Sequence, residues 1–146
     1  MTGEALDFHH HALSVPDIDA AARWYADLLD FHLESRFALP GNIQAAFLKR
    51  GAMRIELFQV PSPQPMAEER RDPRRDLHTL GHKHICFQTR DYDQMRRRLA
   101  KAGIAIILEV GKDRNQGFFF NDMAGNVIEI LRRAEDDDDP ASGEAG

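Results

Sequence analysis

The stretch "HHALSVPDIDAAARWYADLLDF", His10 to Phe31, holds two periodicities in succession. "HHALSV" is short, rich in apolar residues and closed by Pro16, the pattern of a strand. From Ile18 the period changes: Ile18, Ala21, Ala22, Tyr25, Leu28 and Leu29 recur at helical spacing and mark one apolar face. Asp17 or Asp19 suits the N-cap, because its carboxylate accepts the free N–H groups of the first turn. A strand leading directly into an amphipathic helix is therefore the opening unit.

Three more strands follow. "HLESRFAL", "IQAAFLKR" and "MRIELFQV" are separated by Pro40-Gly41-Asn42 and by Arg50-Gly51, which supply the turns. The whole β-α-β-β-β pattern then occurs a second time. "HICFQTRD" is a strand, and "YDQMRRRLAKAGI" is a helix with Asp91 or Asp93 at its cap and Gly103 just past its end. "AIILEV", "GFFFND" and "VIEIL" complete the copy, with a tight "MAGN" turn before the last strand. Side chains repeat along with the elements. His10 and His84 each stand seven residues before an aspartate that opens a helix, Asp17 and Asp91. Glu56 and Glu129 sit inside the last strand of each copy. The histidines are offset by 74 residues and the glutamates by 73.

We expect one domain over residues 1–133, with a first module at about 8–60 and a second at about 84–132. The intervening 61–83 is rich in proline and charge and reads as a linker rather than a helix or strand, with "EERRDPRRD" as a solvated loop. Its 23 residues are more than a connection needs, which suggests that it covers a pocket or a partner surface. Residues 134–146 carry Glu135, Asp136 to Asp139 and Glu144 with no base, and we expect a disordered acidic tail. Those six acids account for the formal charge of −5, so the remainder is near neutral and gives no argument for nucleic acid. No apolar run approaches the ~20 residues that span a bilayer. The single cysteine, Cys86, cannot form an intrachain disulfide, and "MTGEALDF" lacks the features of a secretory leader. A cytoplasmic location is the expectation.

Strand alternation puts Glu56 on one face with Arg54 and Phe58, and Glu129 with Val127 and Leu131. A carboxylate on such an apolar face is costly unless paired or metal-bound. Two histidines and two glutamates make a mixed imidazole–carboxylate set, suited to Zn, Ni, Co, Mn or Fe(II) rather than Ca. An ion held by His10, Glu56, His84 and Glu129 would act as a Lewis acid, polarising a substrate carbonyl and stabilising an enediolate. Glu129 or Glu56 would move the adjacent proton. Cys86 and Gln88 share the strand face of His84, and Phe119 lies one hairpin strand from Glu129. Gln88, Phe119 and Arg54 are the candidate substrate contacts. His9 and His11 read as outward or core-packed, and His32, His78 and His82 as surface or loop residues.

These segments resemble the vicinal-oxygen-chelate superfamily, which comprises glyoxalases, bleomycin-resistance proteins and dioxygenases. The resemblance covers roughly 8–132. "HHALSVPDIDAAARWYADLLDF" is similar to the family's opening strand and helix. "MRIELFQVPSP" followed by "GHKHICFQTRD" resembles its mid-chain junction. "FFFNDMAGNVIEIL" resembles its closing hairpin, with Met123 where a proline is usual. The resemblance implies an α+β fold in which two tandem βαβββ modules form a curved, incompletely closed eight-stranded mixed sheet around a metal. The family's ligand positions fall on His10, Glu56, His84 and Glu129, and its strand-one spacing selects His10 among the three adjacent histidines.

Among the family's chemistries, the ligand set is most like that of glyoxalase I, a metal-dependent lyase and isomerase. Ring-cleaving dioxygenases usually carry a tyrosine ten residues before the last ligand, where this chain has Phe119. Methylmalonyl-CoA epimerase-like members typically place Gln where Glu56 stands, and fosfomycin- and bleomycin-resistance members lack the full set. No residue group is assignable to glutathione. Epimerisation of a 2-oxo or sugar-like substrate, extradiol dioxygenation, and sequestration of a small ligand are the alternatives. A small-molecule substrate and a homodimer are the expected partners.

Overall fold

The structure, a computed structural model, describes residues 3–134. The acidic tail expected beyond Ala134 lies outside the described residues. The chain divides into two compact units, Met1–Met66 and Ala67–Gly146.

The first unit runs β1 (His11–Ser14), α1 (Ile18–Leu29), β2 (His32–Leu39), β3 (Ile43–Arg50) and β4 (Met53–Gln59). Its sheet has the order β1-β4-β3-β2, with β1 parallel to β4 and the other pairs antiparallel. Asp17 caps α1, its Oδ1 accepting from the N–H groups of Asp19 and Ala20 at 3.0 Å each. Asp30 ends the helix in the left-handed region at φ 61°. Most of the apolar stripe read from the sequence is the buried face: Ile18, Ala21, Tyr25, Leu28 and Leu29 are shielded, together with Leu48, Ile55 and Leu57 of the sheet, while Ala22 is half-buried. The sheet's alternate positions face the other way, and these include Glu56.

The second unit repeats the arrangement with β5 (Ile85–Thr89), α3 (Tyr92–Lys101), β6 (Leu108–Val110), β7 (Gly117–Asn121) and β8 (Val127–Arg132). Its order is β5-β8-β7-β6, with β5 parallel to β8. Tyr92 and Leu99 of α3 are buried, as are Phe118, Phe120, Ile128 and Ile130. The fold is thus two tandem βαβββ modules, each an open, mixed, four-stranded sheet with its helix.

At the end of α3, Gly103 sits at φ +73° and donates to Ala100 O at 3.1 Å, while Ile104 N–H donates to Leu99 O at 3.0 Å. This paired closure uses the last free carbonyls, and it requires left-handed backbone at the residue just past the helix. An added Cβ at Gly103 would meet nothing within 4 Å, so Gly103→Ala would cost backbone strain alone. We expect a loss of about 1 kcal/mol, read from the urea midpoint.

Residues 61–83 depart from the reading as a linker without helix. A 3₁₀ turn spans Glu68–Arg71, and a short helix, α2, spans Pro73–Asp76 with Asp72 as its N-cap. The carboxylate of Asp76 is 3% exposed and pairs with Arg70 Nε at 3.3 Å and Lys83 Nζ at 3.4 Å. Lys83 also donates to Asp76 O at 2.7 Å and to Thr79 O, and Arg70 donates to His82 O at 2.9 Å. Arg71, Arg74 and Arg75 of "EERRDPRRD" are exposed, as that reading expects, whereas Asp76 turns inward and takes Arg70 and Lys83 as partners. Asn121 Nδ2 donates to Arg71 O at 3.0 Å, fastening the segment to the β7–β8 turn. Pro73 is buried as well. No described helix is long and apolar enough to cross a membrane.

Candidate metal centre

In the first unit, β1 is in parallel register with β4, Ala12 opposite Glu56. His10, two residues before Ala12, comes to the same face. Its Nε2 stands 2.9 Å from Glu56 Oε2, with side-chain exposures of 33% and 12%. Phe47 lies opposite Glu56 across β3 and sets its ring edge-to-face on His10, with centroids 5.2 Å apart at 72°. In the second unit, Glu129 lies opposite Cys86 of β5 on one side and Phe119 of β7 on the other. His84 Nε2 lies 2.7 Å from Glu129 Oε2, and the Phe119 ring meets the His84 ring at 5.0 Å and 78°. Each module therefore builds the same trio of His, Glu and Phe from equivalent positions.

Backbone comes close beside the second pair at Gly117. A Cβ at Gly117 would stand 3.2 Å from Glu129 Oε1 and 2.8 Å from Leu131 Cδ2, so the missing side chain leaves room for the carboxylate. Gly117 is not in the left-handed region, so the glycine is there for space. Partial burial, and then the neighbouring Glu129 carboxylate, push the Cys86 thiol up to about 12, so it stays protonated beside Glu129. Gln88 is exposed, while Phe119 is only 6% exposed.

Arg54 is already engaged. A bulge between Leu33 and Ser35 frees Glu34 from the β2–β3 register, and Arg54 binds it in two-pronged fashion at 2.8 and 3.0 Å. Hydrogen bonding from Arg54 is the first cause that holds the Glu34 carboxyl below its usual range, with smaller help from Lys49 and His9. A substrate anion would have to displace Glu34 to use Arg54.

The sequence-derived site residues thus come together as two pairs, one in each unit. Among the described residues, no three His, Cys, Asp or Glu side chains gather into a metal-binding group. The chemistry of the donors fits a divalent ion nonetheless. Each pair offers one imidazole nitrogen and one carboxylate, already turned toward each other on a sheet face and braced by a phenylalanine edge. Phe47 and Gly117 are absent from the sequence-derived set. A signal for Phe47 exists: it precedes Phe119 by 72 residues, close to the histidine and glutamate offsets.

A family model described as the Glyoxalase/Bleomycin resistance protein/Dioxygenase superfamily matches residues 7–130. The chain belongs to that superfamily. The solved structures it resembles share its fold at low identity. A glyoxalase/bleomycin resistance protein/dioxygenase domain from Frankia sp. EAN1pec is 23% identical, with a TM-score of 0.72 over 92% of this chain and 96% of that one. The trypanothione-dependent glyoxalase I of Leishmania major is 18% identical, with a TM-score of 0.69 over 88% and 87%. A fosfomycin resistance protein, FosX, from Listeria monocytogenes, in a mutant form complexed with Mn(II) and a dihydroxypropylphosphonic acid, is 14% identical, with a TM-score of 0.65 over 88% and 93%. Among curated proteins, none matches the sequence.

Proposed function

We propose that the protein is a divalent-metal-dependent lyase or isomerase of the glyoxalase type, with His10, Glu56, His84 and Glu129 as the metal ligands. The observation that carries this reading is the repeated pair, His Nε2 to Glu Oε2 at 2.9 and 2.7 Å, at equivalent positions of both modules. Two carboxylates and two imidazoles suit Zn, Ni, Co, Mn or Fe(II). Once bound, such an ion would supply Lewis acidity toward a substrate carbonyl.

The chain's own groups do the rest. Glu129, with Glu56 as its counterpart, takes the proton beside that carbonyl and returns it at the neighbouring carbon. Its carboxylate is aimed for this by His84 and by the space at Gly117. The buried Phe119 borders the same carboxylate on one side and limits water there, while the exposed, protonated Cys86 flanks it on the other. Gln88, exposed on that face, is the proposed hydrogen-bonding contact to substrate. Arg54 would join it after releasing Glu34. We further propose a symmetric homodimer as the working form.

The test is a deuterium wash-in screen of the metal-loaded protein with 2-oxoaldehyde–thiol adducts, 2-oxo acids and thioesters. Metal-dependent exchange of the proton next to a carbonyl is the expected result. Tight binding of a compound with neither exchange nor turnover would favour a sequestering protein instead.

A further inference from the structure

His10 is one of three adjacent histidines, and only its Nε2 edge is used by the pairing with Glu56. The other nitrogen of its ring is occupied as well. His10 Nδ1 lies 2.8 Å from His9 Nδ1, and the two rings meet edge-to-face at 5.1 Å and 87°. His9 does not owe this position to chance exposure. Its ring also packs edge-to-face on Phe47, at 5.6 Å and 78°, the same phenylalanine that braces His10.

Two nitrogens at that separation share one hydrogen, so one of them donates and the other accepts. When Nε2 of His10 gives its lone pair to an ion, the ring's remaining proton must sit on Nδ1. That N–H then needs an acceptor, and His9 Nδ1 is in place. A metal-ligating histidine is generally held by such a partner on its second nitrogen, and loss of the partner weakens binding about 10- to 100-fold. Carboxylates and backbone carbonyls commonly fill that role; here the nearest group is a second imidazole.

We propose that His9 is a positioning residue for the metal centre, accepting a hydrogen bond from His10 Nδ1 and so fixing the ring tautomer that presents Nε2 to the ion. This rests on the metal-ligand reading of His10 given above. It also gives the run of histidines a division of labour: His10 binds, His9 orients, and His11, opposite Ile55 in the register, points to the other face of the sheet.

The test compares Zn(II) and Co(II) titrations of the untagged wild type with those of two variants, His9→Phe and His9→Asn. Phenylalanine keeps a ring against Phe47 but has no acceptor, whereas the asparagine amide oxygen stands close to where Nδ1 stood. We expect His9→Phe to lose about 10- to 100-fold in metal affinity and His9→Asn to stay within about threefold of the wild type. Long-range nitrogen–proton NMR of the Zn(II)-loaded wild type should show His10 protonated at Nδ1. Equal affinity of His9→Phe and wild type would overturn the role of His9 and leave the ligand assignment intact. Equal loss in both variants would reduce His9 to packing, and it too overturns the proposal. A wild type that binds neither ion overturns the ligand assignment and the role of His9 together.

Discussion

Glu129→Gln is expected to lower kcat/KM by about three orders of magnitude, the largest single effect on activity, on a substrate found by the exchange screen. The substitution keeps the size of the side chain and leaves the space at Gly117 filled as before. It removes the charge that attracts an ion and the basic oxygen that would take a proton. His84 Nε2, 2.7 Å from Oε2 in the native protein, would face a neutral amide. Positioned acid–base groups contribute about 10²- to 10⁴-fold, and weaker metal binding adds to that loss. Steady-state kinetics at saturating metal separate the two effects: a deficit in kcat that persists there belongs to proton transfer. Full activity of Glu129→Gln at saturating metal would remove Glu129 from the reaction.

The largest expected effect on stability lies away from the metal centre, at Asp76. Its carboxylate is 3% exposed and faces Arg70 and Lys83, whose side chains are 41% and 26% exposed. Asp76→Ala would leave two cations converging on an apolar gap and would free Lys83 from its partner charge. Removing one member of a buried ion pair costs about 3–5 kcal/mol. Both bases here keep partial access to water, so about 2–4 kcal/mol is expected from urea denaturation. Lys83 directly precedes His84, so the variant should also loosen metal binding by the second module. Asp76→Asn, which keeps the shape and one acceptor, should lose less. A shift below about 0.5 kcal/mol in Asp76→Ala would show that residues 67–83 are held by packing rather than by this carboxylate.

The elements nearest the site were legible because their periodicities are simple and their punctuation is strong. β2 and β3 run between the same residues as the sequence segments that announced them, and α1 starts from one of the two expected caps. Strand β6 is shorter than "AIILEV" suggests. After the turn at Gly103, Ile104 N–H still bonds back to Leu99 O, and the chain meets β7 at Ile107, whose N–H donates to Phe119 O at 2.8 Å. The helical character of 67–76 was illegible for a different reason. It depends on Asp76 being buried among bases several residues away, and a local pattern of alternating charge does not reveal which acid turns inward.

The same division holds at the site. His10, Glu56, His84 and Glu129 were found through the internal repeat, because near-identical offsets in equivalent strands survive in the sequence. His9 was not, since its role depends on which ring nitrogen faces which neighbour. Arg54 read as free for substrate, but a bulge that turns Glu34 toward it is a feature of strand register rather than of composition.

Calorimetric titration of the untagged, metal-stripped protein decides whether His10, Glu56, His84 and Glu129 hold a divalent ion. Saturable Zn(II) or Co(II) binding is expected in the wild type, with a loss of at least about tenfold in affinity in both His10→Ala and His84→Ala. Affinities unchanged by either substitution would remove these histidines from the metal centre.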